Sequence, residues 1–540
     1  RLVHGDKLAR RRPKARVRSQ VGAQIGTIGT TAKGVTSMGN AMDSANERGD
    51  TVALSNLEDY FPDWKEREAL AEAMIPLIGK LYRSNVVVYC YGRALYNQSV
   101  TQLMKHHRYV RQVAKNELSE FETFPVLQAI ADQDLGPCHI DLGKLAIRFM
   151  EDEASSQMSP EAFVAQECQS VLGTSAPPIA QPQDVVLYGF GRIGRLLARL
   201  LIEKTGSGGQ LRLRAIVVRK ASADDILKRA SLLRRDAVHG SFQGTIRVDE
   251  ENECIIANGN VIRVIYAPSP DQVDYESYGI HNALIIDNTG AWRDMAGLSE
   301  HLKSKGAGKV VLTAPGKGEV KNIVSGINTG DIEEADRVLA AGSCTTNAIV
   351  PVLKAMNDQY GIECGHMETV HAYTNDQNLI DNYHKKNRRG RGAPLNMVIT
   401  ETGASSAVVK LLPELDGKLT GNAIRVPTPN VSLAILNLTL EKTVAEDEVR
   451  EFLRSAALHS SLQRQIDFTS SPELVSSDLV GNRHACIVDG EAIITKDNRV
   501  VLYVWYDNEF GYACQVVRVA QKLAGIRYPL IPEDVVKMGF

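Results

Sequence analysis

Cys344 stands in a run of residues that suits nucleophilic chemistry. The run reads Gly342-Ser343-Cys344-Thr345-Thr346-Asn347, and small hydroxyl and amide residues directly after a cysteine favour the exposed first turn of a helix. Unpaired backbone N–H groups and the helix dipole at such a turn stabilise a thiolate. A second motif, Thr369-Val370-His371-Ala372, supplies a histidine that could fold back onto the sulfur and shuttle a proton.

A strand–turn–helix pattern lies upstream of this pair. Val185-Val186-Leu187-Tyr188 predicts a short buried strand, Gly189-Phe190-Gly191-Arg192-Ile193-Gly194 follows, and a helix is expected through Leu201 before a second strand over about 211–218. A Gly-x-Gly-x-x-Gly run in this position predicts a dinucleotide-binding βαβ unit, in which the glycines allow a tight turn, a close approach to a diphosphate and helix–strand packing. A glycine-rich turn without a ligand is the alternative.

The end of the second strand bears on cofactor choice. NAD-specific enzymes commonly place an acid there for the ribose 2′-hydroxyl, whereas this chain has Val217-Val218-Arg219-Lys220. Arg219 and Lys220 could neutralise a 2′-phosphate, so we expect NAD or NADP as cofactor, with NADP at least tolerated. The alternative is that both cations point to solvent.

Length and composition set the broad class. At 540 residues the chain exceeds one ordinary core, and about two to four domains are expected. A hydrophobic content of 44%, a charged content of 23% and a net charge of −2 are typical of globular proteins and favour neither nucleic acid nor membrane as a partner. The eight cysteines form no C-x-x-C pair, so we expect no metal site, no disulfide framework and a reducing compartment.

The chain before the glycine loop has two parts. Residues 1–54 are basic and then Gly/Ser/Thr-rich, which predicts a disordered tail or a transit-like segment; the location is expected to be cytoplasmic, or a plastid or mitochondrion if the segment is a transit peptide. Residues 55–178 predict a helical extension, with an apolar face at Leu70, Met74, Leu77, Ile78 and Leu81, a second helix over about 91–116 and a third from Ser159-Pro160 to about Leu172. The adjacent His106 and His107 are expected on a solvated basic face.

Six ordered motifs carry a resemblance to a known family. They are Gly189–Arg195, Asn288-Thr289-Gly290, Ser343–Asn347, Thr369–Ala372, the stretch from Leu419-Thr420-Gly421 to Arg425–Asn430, and Trp505–Tyr512. From about Asp184 to Ala524 the chain resembles phosphorylating glyceraldehyde-3-phosphate dehydrogenase, in a long form with an N-terminal helical extension. The resemblance implies an α/β fold: a Rossmann-type doubly wound dinucleotide domain over 184–343, rejoined by 506–525, an α+β catalytic domain over 344–505, and a C-terminal tail over 526–540.

The resemblance also implies roles for matching residues. Cys344 is the expected nucleophile and His371 its acid–base partner. Cofactor binding is expected from Gly189, Gly191, Arg192, Ile193, Gly194, Arg219, Thr289, Gly290 and Asn508. The substrate phosphate is assigned to Thr374, Asp376 and Arg425, and the attacking inorganic phosphate to Ser343, Thr345, Thr402 and Gly403.

The activity so implied is reversible oxidative phosphorylation of glyceraldehyde 3-phosphate through a cysteine thioester. The basic loop over about 375–396 resembles a family segment at a subunit interface, which implies a homotetramer. Two alternatives remain: a dehydrogenase of erythrose 4-phosphate, and a regulatory binding protein on a dehydrogenase scaffold. The role of residues 55–178 is not implied by the resemblance.

Overall fold

The computed structural model describes residues 57–116, 118–174, 177–400 and 403–533. They form two compact units: one contains the described residues up to 174 together with 528–533, and the other contains 177–527. The predicted tail or transit-like segment over 1–54 lies outside the described residues. Among the described residues, no helix is both long enough and apolar enough to cross a bilayer.

The first unit combines helices with a small, mostly parallel sheet. Its helices are α1 (Tyr60–Arg83), α2 (Val100–Ala114), α3 (Glu120–Asp132), α4 (Leu142–Glu151) and α5 (Pro160–Glu167). Its strands are β1 (Val86–Cys90), β2 (Arg93–Ala94), β3 (Cys138–Asp141) and β23 (Leu530–Ile531), in the order β2-β1-β3-β23.

The predicted helices of this extension are present. Leu70, Met74, Ile78 and Leu81 are buried on one face of α1, as their helical spacing predicts, and Leu77 is half-buried. Ser159 caps α5 by accepting a hydrogen bond from the backbone N–H of Ala162 at 3.2 Å. The second helix begins at Val100 rather than at about 91, because β2 occupies part of the predicted range.

Three features of the first unit correct the sequence-based expectations. The extension is not purely helical, since β1 and β3 pair in parallel, with Val86 opposite Cys138. The predicted C-terminal tail contributes β23, which pairs with β3 at Leu530 and His139. His107 is fully buried instead of solvated, with its ring nitrogens 2.9 Å from the Leu103 carbonyl oxygen and 2.8 Å from Thr123 Oγ1.

The second unit opens with the predicted βαβ fold. The strands of its nine-stranded sheet are β4 (Gln183–Tyr188), β5 (Leu211–Val218), β8 (Ile246–Asp249), β9 (Cys254–Ala257), β10 (Asn260–Tyr266), β11 (Ala283–Asp287), β12 (Ala307–Leu312), β13 (Lys321–Asn322) and β14 (Val338–Ala340). Their order in the sheet is β13-β14-β12-β11-β4-β5-β10-β9-β8, and β4 lies parallel to both β5 and β11. A separate hairpin pairs β6 (Arg235–Asp236) with β7 (Gly240–Ser241).

Helices cover this sheet and mark its ligand crevice. They are α6 (Arg192–Glu203), α7 (Asp225–Arg234), α8 (Met295–Ser299) and the later helix α12 (Phe510–Leu523), which packs against α6. Within the sheet, β5 lies on one side of β4 and is reached through α6, whereas β11 lies on the other side of β4. The carboxyl ends of β4 and β11 therefore form the switch point at which doubly wound sheets bind dinucleotides.

The catalytic part of the same unit is an eight-stranded mixed sheet. Seven strands have the order β16-β17-β15-β18-β22-β20-β19, and β21 pairs with β22. They are β15 (Ile362–Ala372), β16 (Val398–Thr400), β17 (Leu419–Val426), β18 (Ser432–Leu440), β19 (Ile466–Thr469), β20 (Cys486–Asp489), β21 (Ile494–Lys496) and β22 (Arg499–Tyr506). Helices α9 (Cys344–Tyr360), α10 (Ala404–Val409) and α11 (Glu446–His459) complete it, and α9 packs against β18 and β22.

Candidate active site

The predicted nucleophile occupies the predicted helix terminus. Cys344 is the first residue of α9, and Ser343 is its N-cap, with Oγ accepting the Thr346 N–H at 3.0 Å. The Asn347 amide donates to the carbonyl oxygens of Ala341 and Ser343 at 2.8 and 2.9 Å and fixes the turn that precedes the helix. Free backbone N–H groups of this first turn are thus presented at the sulfur.

His371 meets this sulfur from the end of β15. Its Nε2 lies 3.5 Å from Cys344 Sγ, within the range of a hydrogen bond to sulfur. Burial raises the pKa of the Cys344 thiol, while the positive charge of Arg425 and hydrogen bonds from Thr345 oppose that rise. Burial, reinforced by Arg425, lowers the pKa of His371 to about 3, so its ring is neutral near pH 7.

Arg425 completes a group of three side chains. It lies directly opposite His371 in the parallel register of β15 and β17, so the two side chains share one face of the sheet. Its Nη1 is 2.8 Å from His371 Nδ1 and donates to the Ala372 carbonyl oxygen at 3.0 Å. Its Nε is buried without a hydrogen-bond partner among the described residues, which is what an anion site requires before the anion binds.

The buried side chain of Tyr506 contacts Thr345, the second residue of α9. Tyr506 is fully buried at the end of β22, and its hydroxyl lies 3.0 Å from Thr345 Oγ1. Its ring meets the His371 ring edge-on at a centroid distance of 5.9 Å. Thr345 is therefore oriented by an element that also packs against the acid–base partner.

Thr374 and Asp376, two of the residues expected at the substrate phosphate, form a hydrogen-bonded chain with Arg389. The Thr374 hydroxyl donates to the Asp376 carboxylate, which pairs with Arg389. Arg389 also donates from Nε and Nη2 to Thr400 Oγ1, at 3.2 and 3.0 Å. Asp376 thus acts on Thr374 and Arg389, since a carboxylate would repel a phosphate directly.

The loop assigned to the attacking phosphate is described only in part. Gly403 is exposed directly before α10, and its carbonyl oxygen accepts the Ser406 hydroxyl at 3.0 Å. Thr402 lies outside the described residues.

The glycine loop between β4 and α6 fits a dinucleotide diphosphate. Gly189 has φ +92°, in the region that favours glycine, and a Cβ at Gly194 would stand 2.5 Å from the Gly189 carbonyl oxygen. At Gly191 a Cβ would meet no atom within 4 Å, so open space borders the N-cap of α6. Gly191 and Ile193 therefore flank a helix N-terminus to which an anion has access.

Arg192, expected at the cofactor, has its side chain paired with two carboxylates. Its guanidinium donates to both carboxylate oxygens of Glu509 and pairs with Asp236 at 3.2 Å. His239 Nε2 lies 3.1 Å from the same Glu509 carboxylate. The Arg192 side chain is thus committed to carboxylates, which leaves its backbone N–H, in the first turn of α6, for the cofactor.

The second cofactor loop leaves the carboxyl end of β11. Buried Asp287 accepts hydrogen bonds from the Thr289 backbone N–H and hydroxyl, both at 2.7 Å, and its other oxygen lies 3.0 Å from His301 Nε2. Gly290 follows with φ +62°. This loop lies against the first one, since a Cβ at Gly189 would stand 3.0 Å from Thr289 Cγ2.

Asn508, the residue predicted to orient the nicotinamide, accepts a hydrogen bond from Ser432. Asn508 is buried, and its Oδ1 accepts the Ser432 hydroxyl at 2.9 Å. Ser432 Oγ in turn accepts the Ala372 backbone N–H at 3.1 Å. The bond to Oδ1 fixes which side of the amide carries the NH₂ donors, and it links Asn508 to the strand that carries His371.

Arg219 and Lys220 follow β5 and differ in their surroundings. Both are exposed. The Lys220 ammonium lies 4.8 Å from the Tyr266 ring centroid and 3.9 Å from Glu253. Within the described part of the chain, the Arg219 guanidinium has no hydrogen-bond or ion-pair partner, so it is the cation that a bound ribose phosphate could take.

Two family models match the two parts of the chain that form this site. Residues 183–295 match the model of the glyceraldehyde 3-phosphate dehydrogenase NAD binding domain, and residues 343–508 match that family's C-terminal domain. A glyceraldehyde-3-phosphate dehydrogenase-like protein of Pseudomonas aeruginosa is 62% identical over 85% of this chain and 100% of its own length. This chain belongs to the glyceraldehyde-3-phosphate dehydrogenase family.

Two further relatives cover a smaller share of this chain. Glyceraldehyde-3-phosphate dehydrogenase of Borreliella burgdorferi is 38% identical over 63% of this chain and 99% of its own length. Glyceraldehyde-3-phosphate dehydrogenase 2 of Bacillus subtilis is 38% identical over 63% and 96%. The family's NAD-binding domain in this chain supports NAD(P) as cofactor.

Sequence reasoning missed four supporting residues of the family site: Tyr506, Ser432, Arg389 and Glu509. Tyr506 and Glu509 lie inside the Trp505–Tyr512 motif, so a closer reading of that motif offered a signal. Ser432 lies outside the recognised motifs, and Arg389 lies in the basic loop that is expected at a subunit interface, so only the fold brings these two residues to the site.

Proposed function

We propose that the chain oxidises glyceraldehyde 3-phosphate, with inorganic phosphate, to 1,3-bisphosphoglycerate through a thioester on Cys344. The observation that carries the proposal is the contact of Cys344 Sγ with His371 Nε2 at the N-terminus of α9, beside the half-buried side chain of Arg425. The names of the curated relatives support the same substrate.

In the proposed mechanism His371 Nε2 takes the proton of the Cys344 thiol, and the thiolate attacks the aldehyde carbon. The same proton then passes from His371 to the new alkoxide and gives a thiohemiacetal. The backbone N–H of Cys344 is placed to stabilise the developing oxyanion, and His371 Nε2 accepts the hydroxyl proton as the carbonyl re-forms. The two glycine loops, at Gly189–Gly194 and Thr289-Gly290, would hold NAD(P)⁺, which would supply the acceptor for the hydride that leaves this carbon. Phosphate then attacks the thioester, the Cys344 thiolate leaves, and an acyl phosphate is released.

Two anion pockets are needed for this reaction, and two sets of donors are present. Arg425, with its unpartnered Nε, is placed for one phosphate beside His371. Ser343 and Thr345 border the sulfur from α9 and are placed for the other. Charge-assisted hydrogen bonds from a guanidinium and neutral ones from hydroxyls suit the two anions.

Kinetic variants test the chemistry. Cys344→Ser is expected to lower kcat by about 10⁴-fold or more, because the alcohol is a far weaker nucleophile. His371→Asn is expected to lower kcat by about 10²-fold to 10⁴-fold while leaving measurable turnover. Cys364→Ser is the matched control, since Cys364 is an exposed free cysteine far along β15 from His371. Full activity in Cys344→Ser would overturn the proposal.

The same assays separate the alternatives. Glyceraldehyde 3-phosphate is expected to give a higher kcat/KM than erythrose 4-phosphate, and turnover is expected to require phosphate. A preference for erythrose 4-phosphate would move the assignment to that dehydrogenase. No turnover with either aldehyde would favour a binding protein on the same scaffold.

We also propose that the chain accepts NADP through Arg219. The support is the exposed guanidinium at the end of β5 and the absence of an acid at Val218. Arg219→Ala is expected to raise the KM for NADP about tenfold and leave the KM for NAD nearly unchanged. Lys220→Ala is the comparison variant, because Lys220 already contacts Tyr266 and Glu253. A strong NAD preference unaffected by Arg219→Ala would defeat the idea.

We infer a homotetramer from the family resemblance and from one surface. The loop after β15 exposes a set of large apolar side chains, whose exposed fractions run from 74% to 91%: Leu379, Ile380, Tyr383, Leu395 and Met397. Exposed apolar groups of this density are typical of interaction surfaces. Light scattering is expected to give the mass of four chains, and Tyr383→Asp is expected to lower it. A monomeric wild-type chain would contradict the inference.

A further inference from the structure

A buried aspartate–histidine pair lies next to the second cofactor loop. Asp287, the last residue of β11, and His301 both have fully buried side chains, and His301 Nε2 lies 3.0 Å from Asp287 Oδ2. A carboxylate oxygen only accepts hydrogen bonds, so Nε2 carries a proton and donates it. The other ring nitrogen, Nδ1, is buried without a hydrogen-bond partner among the described residues. The contact with Asp287 is therefore the one that orients the ring.

The other oxygen of the same carboxylate fixes the side chain of Thr289. Asp287 Oδ1 accepts the backbone N–H and the hydroxyl of Thr289, each at 2.7 Å. The Thr289 hydroxyl oxygen in turn accepts the Ala291 N–H at 3.2 Å. Because the hydroxyl and the methyl group of a threonine share Cβ, a fixed Oγ1 also fixes the direction of Cγ2.

The methyl group directed in this way meets the first cofactor loop. A Cβ at Gly189 would stand 3.0 Å from Thr289 Cγ2, which places the methyl group against the turn that follows β4. Asn288 adds a second contact, since its Nδ2 lies 3.4 Å from the Gly189 carbonyl oxygen. The rotamer of Thr289 therefore determines how closely the two loops approach each other.

The ring of His301 also contacts the residue that precedes the first loop. It packs edge-on against Tyr188, the last residue of β4, at a centroid distance of 4.7 Å. Trp292, which follows the second loop, meets the same ring at 5.9 Å. His301 thus contacts both strand ends that border the ligand crevice, β11 through Asp287 and β4 through Tyr188.

We propose that Asp287 and His301 are positioning residues that set the spacing of the two cofactor loops, and through it the affinity for the diphosphate part of the dinucleotide. Both side chains are fully buried, so they act through the loops and not by touching the cofactor. Without the His301 donor, a buried carboxylate oxygen loses its partner, and the carboxylate turns to other donors and releases Thr289. The inference rests on the proposed function only in that a dinucleotide occupies these loops.

The direct test measures hydrogen exchange by mass spectrometry in the full-length protein without cofactor. The Thr289 N–H is expected to exchange slowly in the wild type, because it donates to Asp287. His301→Leu removes the donor at a similar volume, and it is expected to speed exchange in peptides that span 287–291 by about tenfold. Exchange in peptides from β18 should not change. Equal exchange over 287–291 in both proteins would overturn the proposal.

Calorimetric titration measures the effect on affinity. ADP-ribose lacks the nicotinamide, so it reports on the loops separately from Asn508. His301→Leu is expected to raise the Kd for NAD and for ADP-ribose by the same factor, about tenfold. His301→Gln keeps an N–H donor near the position of Nε2, and it should stay within about threefold of the wild type. An equal rise of Kd in His301→Gln and His301→Leu would contradict the role of the donor.

A double-mutant cycle tests whether the effect passes through Thr289. Thr289→Val keeps a methyl group and removes the hydroxyl that Asp287 holds, and since Thr289 is exposed this variant tests the proposal even where His301→Leu does not fold. It is expected to raise the Kd for ADP-ribose about tenfold, and His301→Leu should then add little, because both changes break one chain of contacts. Additive effects would refute that chain.

The matched control is His366→Leu, because His366 is also a hydrogen-bonded histidine but lies on β15 of the catalytic sheet. Its ring nitrogens lie 2.9 Å from Thr420 Oγ1 and 3.2 Å from Asn422 Oδ1. This variant is expected to leave the Kd for NAD and for ADP-ribose unchanged. A rise of Kd equal to that of His301→Leu would count against a specific role of the Asp287–His301 pair.

Steady-state kinetics separates positioning from a loss of stability. His301→Leu should raise the KM for NAD about tenfold and leave kcat at saturating NAD within about twofold, because Cys344 and His371 keep their contacts. A lower thermal midpoint with unchanged KM and Kd would indicate a structural role and overturn the proposal. Hydrogen exchange and ADP-ribose binding need no turnover, so an enzyme inactive with both aldehydes would count against the proposed function alone.

Discussion

The carboxylate of Glu509 joins the cofactor loop to the nicotinamide side of the cleft. It accepts two hydrogen bonds from Arg192, at the start of α6, and it follows Asn508 directly in the chain. Glu509→Gln keeps the shape and removes the charge. We expect this change to loosen the glycine loop and weaken cofactor binding without touching Cys344 or His371.

The expected loss of cofactor affinity in Glu509→Gln is estimated from the contacts of Arg192. Hydrogen bonds to charged groups contribute about 1.5–3 kcal/mol each. The Arg192 side chain is 33% exposed and keeps Asp236 at 3.2 Å, so a net loss of about 1.5–2 kcal/mol is the reasonable range. Since 1.4 kcal/mol corresponds to a factor of ten, the KM for NAD should rise about tenfold to thirtyfold, while kcat changes by less than about twofold.

The assay is steady-state kinetics with NAD as the varied substrate, together with a direct cofactor titration by fluorescence. Glu446→Gln is the matched control, because Glu446 pairs with Arg450 at 2.6 Å on an exposed helix face. An unchanged KM in folded Glu509→Gln would refute the reasoning. So would an equal effect of Glu446→Gln.

Two further predictions concern the same half of the second unit. Gly194→Ala places a Cβ 2.5 Å from the Gly189 carbonyl oxygen, so we expect a lower thermal midpoint and weaker NAD binding, whereas Gly330→Ala, with no atom within 4 Å, should change neither. Burial opposes ionisation of Asp236, but backbone N–H donors and Arg192 outweigh it and lower its pKa to about 2. A carboxylate with a depressed folded-state pKa stabilises the fold above its unfolded pKa of about 3.9 and loses that contribution as the pH falls toward 2. Asp236→Asn should therefore lower the free energy of unfolding by about 1–2 kcal/mol at pH 7, and urea titrations should show the difference shrinking between about pH 5 and pH 2.

Local sequence signals predicted the parts of the site that depend on local structure. Ser343 before Cys344 marks a helix start by its capping chemistry, and the structure shows that cap. The strand, glycine loop and helix around Gly191 are likewise set within about twenty residues, and the structure shows each of them. Each of these elements carries its own boundary signal in the sequence.

The missed features depend on contacts between distant segments. β1 pairs with β3 across an intervening pair of helices, and β23 joins from the other end of the chain, so no local periodicity could indicate this sheet. His107 is buried because Glu120 and Thr123 of the next helix meet it. Arg192 lies within a cofactor motif, yet its side chain turns to Glu509, which only the packing of α12 against α6 makes possible.

The central claim is a covalent thioester on one sulfur, and mass spectrometry tests it most directly. Enzyme mixed with glyceraldehyde 3-phosphate and NAD, without phosphate, is quenched in acid and digested. One acyl adduct is expected, on the peptide that contains Cys344. It should disappear when phosphate is added before the quench, and it should be absent from Cys344→Ser. Reduced cofactor formed with no adduct on Cys344, or with the adduct on another cysteine, would contradict the account.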